Sequence, residues 1–182
     1  RIPFAWELPA APALEIASAA ETAPSSAAGE ALQSLGQSLL GSSLNIPING
    51  KPPATIVPPA NFHFALIPLA TPNAFATLGA QVAVTEGLLQ HVQSENGLAM
   101  VMAHEIAHVQ LRHPIEAASR GIVVQIALAA ILGASEGGLL SGSLSTGGIL
   151  TLLSFNRDME MQADHRALAN LKSHYGHLGG AD

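Results

Sequence analysis

Residues 98–113 read Leu98-Ala99-Met100-Val101-Met102-Ala103-His104-Glu105-Ile106-Ala107-His108-Val109-Gln110-Leu111-Arg112-His113, with Pro114 next. Leu98, Met102, Ile106 and Val109 keep a helical period, so the spacing predicts a helix over about 97–112 that ends at His113-Pro114. His104 and His108 are four residues apart. On a helix they share one face, one turn apart, where two imidazoles can hold one metal ion. Glu105 sits at the rim of that face, within reach of a water at the metal without being a ligand itself. The surrounding residues are apolar, and a carboxylate with two imidazoles inside such a helix is costly unless each finds a partner. A metal would satisfy all three. Zinc suits this donor set, since three N/O protein ligands and one open position form the catalytic arrangement.

A second polar group follows at Asn156-Arg157-Asp158-Met159-Glu160-Met161-Gln162-Ala163-Asp164. Glu160 and Asp164 are again four apart and share a helix face. Glu160 would complete the metal shell. Asp164 would accept a hydrogen bond from the outer ring nitrogen of a ligand histidine, fixing its tautomer.

Composition narrows the chemistry further. The chain has 182 residues, 48% hydrophobic and 11% charged, with seven Lys+Arg, thirteen Asp+Glu, eight histidines and no cysteine. That length supports one domain with a real core. The scarcity of basic residues argues against a nucleic-acid footprint. The lack of cysteine excludes disulfides, iron–sulfur clusters, thiolate zinc sites and a cysteine nucleophile. Any metal must therefore be held by imidazole and carboxylate.

Eleven of the twelve prolines lie at or before Pro72. Residues 1–27 are rich in Ala, Pro and Ser and read as a flexible arm, with Phe4, Trp6, Leu8 and Leu14 as docking residues; residues 28–182 read as the folded domain. The start on Arg1 reads as a processed or recombinant piece. Helix is expected over Gly29–Leu40. Phe62–Leu69 reads as a strand, and Phe75–Thr85 as two short strands around Gly79, with Gln81–Thr85 as an edge strand. Helices are expected from Glu86, broken at Asn96-Gly97, then from Ile115 to Gly133. A Gly/Ser-rich stretch follows over 133–148, and a last helix runs from Ile149 or Leu150 to Leu171. The fold class is α+β, a small sheet followed by helices. The apolar stretches between 121 and 156 read as buried helices rather than membrane spans.

The sequence resembles the gluzincin metallopeptidases that include the CAAX prenyl proteases, the HtpX-type heat-shock proteases and the BepA-type and OMA-type enzymes. The resemblance runs from about Phe62 to Gly176. It rests on Asn73-Ala74-Phe75-Ala76, Gly79 with Val82, Val84 and Thr85, Gly87-Leu88-Leu89, His104-Glu105-Ile106-Ala107-His108 with Arg112-His113, and Arg157 with Glu160 and Ala163-Asp164. It implies a zincin-like fold, with an edge strand packed on the helix of the two histidines. It also implies one Zn2+ per chain on His104, His108 and Glu160, Glu105 as general base and Asp164 supporting the ligand shell. An extended peptide or unfolded protein would lie beside an edge strand at Gln81, Val82, Ala83 and Val84, using strand addition.

Two departures stand out. Leu78-Gly79 replaces the usual Pro-Gly. The family's later His-Pro-x-x-x-x-Arg-like segment is not found before Asp182: either the family domain is truncated here, or another residue substitutes as transition-state stabiliser, with His165, His174 and Tyr175 as the candidates. The resulting expectation is a zinc-dependent endopeptidase, extracytoplasmic in a bacterium and engaged in protein quality control. The alternative is an inactive or autoinhibited zinc-binding, chaperone-like module of the same fold. Among the remaining histidines, His113 is assigned a structural role at the end of the helix.

Overall fold

A computed structural model of the chain describes residues 26–52, 57–120 and 155–179. The first helix, α1, spans Ala27–Ser43; Ser26 caps it by accepting the Gly29 N–H, supplying one of the acceptors that a helix start lacks. Its buried face carries Leu32, Gly36, Leu39 and Leu40. Gly36 lies on the Phe64 ring so closely that a Cβ there would stand 2.6 Å from it. The missing side chain is what lets α1 approach the sheet.

The sheet has three strands, β1 (His63–Ile67), β2 (Ala74–Thr77) and β3 (Gln81–Thr85), in the order β1-β3-β2. β1 runs parallel to β3, and β2 is antiparallel to it, with Thr77 opposite Gln81. Leu78-Gly79-Ala80 turns the β2–β3 hairpin, with Gly79 and Ala80 both at positive φ (76° and 61°). This topology corrects one expectation. Gln81, Val82, Ala83 and Val84 do not form an edge: β3 is the central strand and is bonded on both sides, so no backbone is left there for strand addition. Its residues from Val82 to Thr85 are buried, as befits a strand covered on both faces. Among the described residues the edges are β1, beneath α1, and β2, beside the histidine helix.

Thr85 closes β3 and opens α2 (Glu86–His91). Its hydroxyl accepts the Leu88 and Asn73 N–H groups and donates toward the Thr71 carbonyl. Val92–Ser94 then separate α2 from α3 (Glu95–Leu111). The break is therefore not at Asn96-Gly97. Ser94 accepts the Gly97 N–H as the N-cap, which places Asn96 and Gly97 inside the first turn. Arg112 ends α3 in the left-handed conformation (φ 71°), and residues 113–120 resume as helix α4. The last helix, α5, spans Arg157–Tyr175. Asn156 caps it, being extended and accepting the Met159 N–H.

The core joins Leu32, Leu39, Phe64, Val82, Val84, Met102 and Ile106 among others. A second cluster of Ala103, Ala167 and Leu171 fills the contact between α3 and α5. Small residues there let the two helices approach closely. The result is a mixed α+β architecture. Among the described residues no helix is long and apolar enough to cross a membrane. The arm expected over 1–27, beyond its last two residues, lies outside the described residues. So do the Gly/Ser-rich stretch, the onset of the last helix at 149–150, and the part of the helix expected over Ile115–Gly133 beyond residue 120.

Candidate metal centre

α3 and α5 pack with their polar residues facing one another at one point. There His104, His108 and Glu160 come together, with one ligand-type atom from each within 4.8 Å of the others. His104 Nε2 is 3.3 Å from Glu160 Oε2, His108 Nε2 is 3.7 Å from Glu160 Oε1, and the two Nε2 atoms are 2.8 Å apart. Ligands placed tetrahedrally at about 2.0–2.2 Å from one ion stand roughly 3.3–3.6 Å from each other, and the observed spacings bracket that range. Both histidines turn Nε2 inward.

The outward nitrogens explain this orientation. His104 Nδ1 lies 2.9 Å from Asp164 Oδ1. An ionised carboxylate only accepts, so it holds the ring proton on Nδ1 and leaves the Nε2 lone pair of a neutral ring facing Glu160 and His108. Asp164 thus stands against the outer nitrogen of His104. His108 Nδ1 lies 2.9 Å from His113 Nδ1, and the Phe155 ring stacks on the His108 ring at 4.0 Å between centroids and 18° between planes. This donor set of two neutral-capable imidazoles and a carboxylate fits a zinc-type ion.

Exposure rises across the cluster, from 1% at His108 to 20% at His104 and 45% at Glu160. The buried imidazole fixes the site, and the carboxylate side faces solvent. Burial pushes His108 down to about 3, with the neighbouring His104 and His113 acting in the same direction. His113 falls to about 4, by burial first and then through Arg120 and His104. Both rings are thereby kept neutral, the form that can ligate.

Glu105 is buried. Burial raises its carboxyl to about 7, opposed by His104 and by a backbone hydrogen bond from Ala76 on β2, while Glu160 adds to the rise. The carboxyl is thus anchored on the edge strand beside the cluster, and its proton affinity suits acid–base exchange near neutral pH.

The remaining expected site residues are not in this centre. Tyr175 donates its hydroxyl to Glu95 Oε1 at 2.8 Å, at the start of α3, and burial with that bond raises it to about 12. His174 Nδ1 lies 2.9 Å from Ser42 Oγ at the end of α1. At 1.5 Å of rise per residue, both sit roughly 20 Å along α5 from Glu160. His165 is exposed, turned away from the Glu160–Asp164 face by the 100° step between successive helix residues. The residues that sequence reasoning did not place here are His113, assigned only a structural role, and Phe155. Phe155 precedes the Asn156 cap, and no periodic signal marked it.

The family model described as Peptidase family M48 matches residues 52–178. A Vibrio cholerae relative whose name contains the words beta-barrel assembly-enhancing protease is 40% identical over 119 residues, covering 60% of this chain and 25% of its own length. The mitochondrial metalloendopeptidase OMA1 of Schizosaccharomyces pombe is 43% identical over 100 residues, covering 54% of this chain and 29% of its own. A protease HtpX homolog of Desulforapulum autotrophicum is 41% identical over 99 residues, covering 48% and 32%. These alignments take in less than a third of each relative. The matched span takes in the paired histidines, Glu105, Glu160 and Asp164, and on that match the chain belongs to peptidase family M48.

Proposed function

We propose that the chain is the catalytic region of a zinc-dependent endopeptidase with a zincin-like fold, holding one Zn2+ on His104, His108 and Glu160. The observation that carries this reading is the convergence of those three ligand atoms beside a buried glutamate whose proton affinity is raised toward neutrality. A zinc ion held there supplies Lewis-acid polarisation of a carbonyl and acidification of water. Glu105 takes a proton at its carboxylate from the attacking water and delivers it to the departing amine nitrogen. Asp164 orients the His104 ring, and burial keeps the His108 ring neutral. The β2 edge at Ala74–Thr77, which also holds Glu105 through Ala76, is the strand beside which an extended peptide would lie. The M48 match and the protease-named relatives support peptide-bond hydrolysis; a peptide or unfolded protein is the substrate proposed for it, and protein quality control the proposed role. The bacterial beta-barrel assembly-enhancing proteases among the relatives favour an extracytoplasmic location.

The test combines metal analysis with proteolysis of casein. The wild type is expected to carry one zinc and to lose cleavage on chelation. Glu105→Gln is expected to keep the zinc and lose cleavage by a factor of about 100 or more. A Glu105→Gln enzyme that cleaves at the wild-type rate would show that the base lies elsewhere.

A further inference from the structure

We propose that His113 is a positioning residue for the metal centre: its Nδ1 accepts the Nδ1–H of His108 and so fixes the tautomer and ring plane with which His108 presents Nε2. This goes beyond the proposed function but rests on it, since the Nε2 so presented is that of a zinc ligand.

Three observations carry it. The two Nδ1 atoms are 2.9 Å apart, and His113 is 3% exposed, so the contact is made away from water. His108 Nε2 already faces His104 and Glu160, so the only ring nitrogen left to hold His108 in place is the one that meets His113. Phe155 stacks on the flat side of the same ring. It stops the ring tipping, whereas only a hydrogen-bonding partner can set which nitrogen carries the proton. His104 has a carboxylate partner in Asp164; His108 has an imidazole instead. A buried neutral acceptor does this without placing a second anion in the apolar interior.

The contact exists because the chain leaves the helix. In an uninterrupted helix a residue five places after His108 would lie about 140° around the axis. The left-handed conformation of Arg112 (φ 71°) turns the backbone between α3 and α4 and returns the His113 ring to His108.

The experiment compares His113→Leu, which removes the acceptor, with His113→Asn, whose side-chain carbonyl stands near the place of Nδ1. Zinc affinity is read by competition with a chromophoric chelator, and the melting of the metal-free forms is read alongside. His113→Leu is expected to bind zinc about 10- to 100-fold more weakly than wild type, and His113→Asn to recover most of that loss. A Leu variant with wild-type affinity overturns the proposal. So does an Asn variant as weak as the Leu variant when both melt like wild type without metal. Should the Leu variant not fold, the ring nitrogens of wild-type His108 decide by 15N NMR. A proton on Nδ1 is expected, and a proton on Nε2 overturns the proposal. A wild type that takes up no zinc defeats the zinc reading itself, and the proposal with it. Normal wild-type binding with an unaffected Leu variant defeats only the assignment of His113.

Discussion

Glu160 is the one carboxyl group among the three converging side chains, and it comes from a different helix than the two histidines. Removing it leaves a pair of imidazoles one turn apart, which is too few ligands for a closed shell. Glu160→Ala is therefore expected to lose stoichiometric zinc after dialysis; elemental analysis that still finds one zinc per chain would exclude Glu160 as a ligand. Glu105 behaves differently. Its raised proton affinity reflects burial, and a cation beside it would pull that affinity back down. The residue-level chemistry was legible in the sequence because both pairs, His104/His108 and Glu160/Asp164, are four residues apart. That spacing alone sets them on a common helix face. Asp164 was found for the same reason. His113 was seen but not understood, because its contact depends on the backbone turn at Arg112.

Among the elements, α1 is fastened to the site-bearing helices by a buried cation. Arg166 on α5 donates through Nε to Gln110 Oε1 of α3 at 2.7 Å, and through one terminal nitrogen to the Ser43 and Ile46 carbonyls at 3.4 and 3.0 Å. Gln110 in turn donates to Ser43 Oγ at 2.7 Å. The guanidinium thus meets carbonyl groups at the C-terminal end of α1, where the helix presents unpaired acceptors and negative potential. Burial lowers its proton affinity only to about 10, so it stays charged at neutral pH. Arg166→Met should remove the guanidinium donor from Gln110 Oε1 and the Ile46 carbonyl, destabilising the fold by about 1–3 kcal/mol while His104, His108 and Glu160 remain in place. Denaturant unfolding checks this, and a variant as stable as wild type would refute the capping role. The elements themselves were readable from periodicity and turn residues, but two boundaries were not. Asn96-Gly97 looks like a breaker, yet Ser94 caps three residues earlier and absorbs both into the helix. Asn156 likewise reads as the interior of a helix running to Leu171, yet it is extended and caps the start of α5.

Taken as a whole, the molecule buries two imidazoles whose proton affinity is lowered and one carboxyl whose proton affinity is raised. For His108 and His113, held near 3 and 4 when folded against about 6.5 when unfolded, the unfolded chain binds more protons below 6.5. Their contribution to stability is present above that pH and is lost as pH falls toward 4. Glu105 has the opposite sign: raised to about 7, it favours the folded state at low pH and loses that contribution between 4.5 and 7. Two groups outweigh one, so unfolding takes up a net proton between about 4.5 and 6.5, and the metal-free protein loses stability on acidification across that range. Melting in the presence of chelator should therefore occur at a lower temperature at pH 5 than at pH 6.5; an equal or higher value would contradict the buried-imidazole account. At this scale the sequence was least informative about the sheet. The β-rich segment Gln81–Thr85 has the composition of any strand, and its central place comes from parallel pairing with β1, which no local pattern reports. The sequence by itself determined that His104 and His108 share one helix face and Glu160 and Asp164 another, because α-helical geometry converts a spacing of four into a shared face. Only the tertiary structure decided that β2 is the edge beside the site, that Arg166 binds α1, and that His113 and Phe155 hold His108. Those contacts depend on how separate segments cross and where the backbone leaves its regular path, and neither leaves a period in the chain.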